Sequence, residues 1–166
     1  MIIYQTSFKR IALTDVMVIC FLVLFPAVAH YLPFPGYYLE PMRIALLTAL
    51  FLSGSKTNTF MLAILIPFGT MILSGHPPFI KTVLISIELL TNVAIFYLLS
   101  SKLPLFIRIY TGIVLSKIIY YFLKAGMIQM TLIEGSLITI SLWIQLLIAG
   151  ILSIVFAVIF KKSANV

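Results

Sequence analysis

The chain has 166 residues, 63% of them hydrophobic and only 9% charged, with a formal net charge of +7. Its mean hydropathy is +1.22. A water-soluble domain of this length needs more polar surface to cover its core, so the apolar surface must face lipid. The positive charge does not point to nucleic acid: there is no basic run and no interleaving of basic with aromatic residues. Lys and Arg sit instead at the ends of apolar segments, where they fix orientation.

Six apolar segments follow one another at 11–31, 42–53, 59–73, 82–99, 104–124 and 136–160. Each is expected to be helical, because backbone polar groups in hydrocarbon need partners within their own segment. Segment one begins after Lys9 and Arg10 and ends in Ala27-Val28-Ala29, imitating a cleavable signal peptide. It is read as a retained helix, since the rest of the chain is itself apolar. Cys20 within it is read as a small buried hydrophobe, and CxxC or Cys/His zinc spacings are absent. Pro26 and Pro67 are expected to kink their helices. The second and third segments fall short of the ~20 residues that a straight span requires.

With a cytoplasmic N-terminus, the inner side carries Lys9, Arg10, Lys56, Lys102, Arg108, Lys161 and Lys162, and the outer side carries Arg43, Lys81 and Lys124. Seven against three favours both termini inside. The expected architecture is therefore an all-α membrane protein. One integral membrane domain spans residues 1–166, with six transmembrane helices and cytoplasmic termini. The inner turns are short. The outer ones, 31–41, 75–78 and 125–135, hold Tyr31, Phe34, Tyr37, Tyr38 and His76, so function is expected to open outward.

Ionisable groups inside a bilayer cost several kcal/mol unless paired or hydrated, which makes each one a functional candidate. Lys81, Glu88 and Asn92 fall on one stripe of helix 4, at i, i+7 and i+11. Lys117, Tyr121 and Lys124 do the same on helix 5, with Lys117 ~10 Å below Lys124. On helix 6, Glu134, Ser141 and Gln145 share a face. The functional reading is a substrate pocket walled by helices 4, 5 and 6 beneath the 31–41 loop. Tyr37 and Tyr38 would stack on a ring, while Lys117, Lys124, Lys81 or Arg43 would hold a carboxylate, and Glu88 and Asn92 would receive ligand donors. Gln145, Trp143 and His76 complete the candidate set.

Each candidate also has a structural reading. Glu88 can pair with a lysine or Arg43 to hold helices together, and Lys81 and Lys124 can snorkel to the interface. His76 and His30 are read as loop residues rather than metal ligands, since no acid or thiol lies at ligand spacing. Trp143 can be packing or pocket wall, and Asp15 is expected in a local salt bridge, to Arg108 or Lys102. No catalytic motif or nucleotide-binding loop is present, so no enzyme and no cofactor are expected.

Pro41-Met42-Arg43 opens a short helix, Ile66-Pro67 follows, then Ser74-Gly75-His76-Pro77, then Glu88-Leu89 with Asn92. This order resembles the S components of energy-coupling factor (ECF) vitamin transporters, bacterial multi-pass proteins of the cell membrane. There a Pro-Met motif, a Gly-His-Pro or Gly-Met-Pro turn and a glutamate on helix 4 recur. The resemblance covers roughly residues 27–97. It implies a six-helix fold and an outward-facing vitamin site in which Glu88, Asn92, His76 and the 31–41 loop stand at ligand-contacting positions. It further implies partnership with a transmembrane T component and two cytoplasmic ATPases. Many S components carry Ala-x-x-x-Ala on helix 1. Here Ala12 is followed by Val16, and the pattern occurs instead at Ala45 and Ala49.

The lysines favour a carboxylate-bearing vitamin or precursor, such as pantothenate, lipoate, niacin or biotin. The aromatics favour a ring. The rival reading is a membrane scaffold resembling the rod-shape protein MreD, which needs no stacked aromatics over aligned polar stripes.

Overall fold

A computed structural model describes residues 8–31, 35–75, 77–99 and 103–161. Among them are α1 (Phe8–Ala29), a 3-10 turn (Gly36–Leu39), α2 (Pro41–Leu52), α3 (Lys56–Ser74), α4 (Phe79–Leu98), α5 (Leu105–Gln129) and α6 (Leu142–Ile159). Five of these helices are long and apolar enough to cross a membrane. α2, with 12 residues, reaches only ~18 Å of a hydrocarbon core ~30 Å thick. The chain is an all-helical, multi-pass membrane protein.

Element boundaries depart from expectation where side chains satisfy the backbone. α3 is not short: it runs 19 residues. Hydroxyls help it extend, with Thr59 donating to the Ser55 carbonyl (2.9 Å) and Ser74 to that of Thr70 (2.7 Å). α3 and α1 are each continuous through their prolines. α6, by contrast, begins at Leu142 rather than 136. Thr131 and Gly135 adopt positive φ (57° and 113°), which breaks helical continuation before it. The expected stripe of Glu134, Ser141 and Gln145 is therefore absent: Glu134 and Ser141 are exposed, and Gln145 is buried.

The chain divides into two compact units, 1–62 and 63–166, with the division inside α3. In the first, α1 and α2 pack antiparallel. At one end Arg10 Nε donates to the Leu52 carbonyl (2.6 Å), setting a cation on the last orphan acceptor of α2. At the other, the Gly36 backbone passes so near Ala29 that an added Cβ would stand 2.5 Å from the Ala29 Cβ. Asn58 at the start of α3 donates to Asp15 (2.8 Å). Thr14 and Val18 are the buried residues of α1. Cys20 is thus exposed rather than buried, on a helix whose outward apolar surface suits lipid.

In the second unit α4 and α5 form the most extensive helix pair, and α6 packs on α5. The α6 face is built from Gln145, Ala149, Ser153 and Phe156, spaced at one turn each. Gly112 lets α5 approach α4 closely: a Cβ there would lie 3.3 Å from the Asn92 carbonyl. Close approach at glycine replaces the hydrophobic drive that lipid cannot supply.

Gly112→Leu is accordingly expected to destabilise the protein by about 1–3 kcal/mol. Gly126→Ala, on the same helix with open space beyond it, should be neutral or slightly stabilising. Thermal unfolding of both variants in detergent measures the contrast.

Candidate functional site

The polar side chains of unit 63–166 lie along the α4–α5–α6 faces, and one register relates them. Arg108 sits over the Phe96 ring (4.2 Å to the centroid) and donates to the Phe96 carbonyl (3.3 Å). Gly112 meets Asn92, and Lys117 Nζ stands 3.9 Å from Glu88 Oε1. These contacts pair residues whose numbers sum to 204 or 205, as an antiparallel helical hairpin requires. A step of seven along each helix keeps the same face toward the partner.

Glu88 is buried, and its partner Lys117 is largely shielded. Their 3.9 Å separation is longer than a direct charge-assisted hydrogen bond of ~2.7–2.9 Å. Tyr120 lies within electrostatic reach of Glu88. One turn further along α4, Asn92 is 3% exposed and its Nδ2 has no hydrogen-bond partner among the described residues. An orphaned buried amide donor costs about 1–3 kcal/mol, so something must compensate it.

Other candidates are engaged by the protein itself. The Tyr121 hydroxyl donates to Gln145 Oε1 (2.8 Å), and Gln145 Nε2 donates to the Ile140 carbonyl (2.7 Å). Lys124, 7% exposed, donates to the carbonyls of Ser136 (3.0 Å) and Leu137 (2.8 Å), tying the 130–141 segment to α5. Lys81 is partly buried near the start of α4. Trp143 is 81% exposed on the first full turn of α6, away from the packed polar groups.

The remaining candidates fall elsewhere. Arg43 and Tyr38 belong to unit 1–62, where Arg43 is buried and forms an ion pair with Glu40 at the start of α2. Glu40 itself holds a left-handed backbone (φ 51°) just before Pro41. His76, Phe34, Lys102, Lys162 and the Tyr37 side chain lie outside the described residues. Asp15 accepts from Asn58, and Arg108 engages Phe96, while the alternative partner Lys102 lies outside the described residues.

Sequence reading missed Arg108 and Gly112 as organisers of the hairpin. Their signal was available: each lies across the six residues between α4 and α5 from its partner, at a constant numerical sum. Among the described residues no three His, Cys, Asp or Glu side chains come together as metal ligands. A shallow apolar hollow beside the last turns of α5, lined by Phe122, Gly126, Met127 and Met130, touches none of the polar groups above.

The chain matches no protein-family model, no curated protein and no solved structure.

Gln145→Leu leaves the Tyr121 hydroxyl and the Ile140 carbonyl without their partner. It should cost about 1–2 kcal/mol. Tyr121→Phe in the Gln145→Leu background should then add little. A double-mutant cycle read by thermal unfolding gives the coupling, which additive losses would refute.

Proposed function

We propose that this chain is the substrate-capturing membrane subunit of an ECF-type uptake transporter, taking a small vitamin-like molecule from outside the cell. The observation that carries the reading is Asn92: a buried amide donor with no partner among the described residues, one turn from the Glu88–Lys117 ion pair, inside apolar helices. Purely structural polar groups in hydrocarbon close on each other, as Tyr121 and Gln145 do. The Asn92 amide instead offers a donor to a guest, beside the Glu88–Lys117 ion pair. A ligand donor group would take Glu88. Its acceptors would take Lys117 and the Asn92 amide, and each contact strengthens as water leaves.

The motif order from Pro41-Met42 to Asn92 supports the family assignment, and the Lys/Arg count supports cytoplasmic termini in a bacterial cell membrane. In this reading a T component and two ATPases supply the energy, since the chain itself carries no nucleotide-binding motif. The scaffold reading draws on the internally satisfied Tyr121–Gln145 and Lys124 contacts. It gives no role to the open Asn92 amide.

The two readings separate in one experiment. Native mass spectrometry of the purified protein should detect a retained small molecule. Combining Glu88→Lys with Lys117→Glu preserves the ion pair, so the fold should survive with an unchanged Tm. Ligand retention should fall at least roughly tenfold, the effect of losing one charged contact. A swapped variant that retains the molecule like the parent would show the pair to be structural only.

A further inference from the structure

The hairpin register assigns a partner to a residue for which no ion pair or hydrogen bond joins any described residue. Moving seven residues from Glu88 toward the start of α4 reaches Lys81, and moving seven from Lys117 toward the end of α5 reaches Lys124. The facing pair one heptad from Glu88–Lys117 is thus Lys81–Lys124, with the numerical sum 205 of the pair below it. The two ammonium groups repel one another electrostatically. Lys124 is buried and uses two of its three donors on the Ser136 and Leu137 carbonyls. Glu134, the nearest acid in sequence to that segment, is exposed and forms no ion pair among the described residues. Along this one seam, then, stand three lysines and a single glutamate.

A like-charge pair at the mouth of an apolar hairpin, one member buried, is unfavourable without an anion. We infer that Lys81 and Lys124 seat the anionic group, a carboxylate or phosphate, of the molecule that this chain captures. The anion would take the free donor of Lys124 and those of Lys81, while its carrier extends inward toward Glu88, Lys117 and Asn92. The inference rests on the capture reading for the source of the anion. The cation pair itself does not.

Charge reversal tests it. Lys81→Glu turns the repelling pair into an attracting one, so it should raise Tm in the absence of ligand while abolishing anion retention. Lys81→Gln should lower retention at least roughly tenfold without lowering Tm. Because Lys124 also ties down the 130–141 segment, the test relies on Lys81. The protein is purified and placed in phosphatidylcholine nanodiscs, with and without phosphatidylglycerol. Bound species are then identified by native mass spectrometry and exact mass.

A small organic anion retained by the parent and lost from both variants supports the clamp and the capture reading together. An anion or a neutral molecule retained equally by parent and variants overturns the clamp but leaves capture standing. Retention of phosphatidylglycerol alone, lost in both variants, supports the anion site and overturns capture as its source. No retained species in any sample, or a Lys81→Glu variant with lower Tm, overturns the clamp.

Discussion

Hydrocarbon offers no hydrogen-bond partner, and every buried polar group in this chain must find one within the protein or within a guest. That constraint explains more of the structure than apolar packing does. Serine and threonine hydroxyls turn back on their own helices, as Ser86 on Thr82 and Ser153 on Ala149. Arg10 covers the end of α2, Lys124 gathers the carbonyls of the segment before α6, and Gln145 holds both Tyr121 and the Ile140 carbonyl. Gly112 brings α4 and α5 close enough for such contacts to form across the hairpin.

Against this background two buried nitrogens of the α4–α5 hairpin, Asn92 Nδ2 and Arg108 Nε, stand out as having no hydrogen-bond partner among the described residues. The Glu88–Lys117 pair is held at 3.9 Å, and the Asn92 amide donates to nothing described. Both lie on the seam that the register defines, and both belong to the most tightly associated helices. An arrangement that merely stabilised the hairpin would gain more from an apolar pair of similar volume, since burying charges offsets much of their attraction. The proposed bound molecule would give the Asn92 amide its missing acceptor. The proposed capture draws on the same requirement for polar partners that shapes the fold.

Much of the architecture was legible in the amino-acid order because length and hydropathy leave few alternatives in a bilayer. All six segments became helices. The stripe Lys81–Glu88–Asn92 was legible for the same reason, spacings of seven and four on a helix that hydropathy already required. What could not be read was backbone geometry set by single residues. Thr131 and Gly135 break the chain before α6 and remove Glu134 and Ser141 from the expected stripe. Nor could spacing reveal which polar groups would be consumed internally. Tyr121 and Gln145 looked as free as Asn92, and only the distances separate them. Cys20 was misjudged because burial statistics from water-soluble cores do not carry over to a helix whose outward face meets lipid.

The register of the α4–α5 hairpin is the claim from which the site follows, and cross-linking measures it directly. In a Cys20→Ser background, Lys81→Cys is combined in turn with Lys124→Cys and with Lys117→Cys, and each protein is treated with a short bis-maleimide in membranes. The account predicts efficient intramolecular cross-linking of 81 to 124 and little of 81 to 117. Preferential linkage of 81 to 117 would shift α5 by two turns against α4 and dismantle the site.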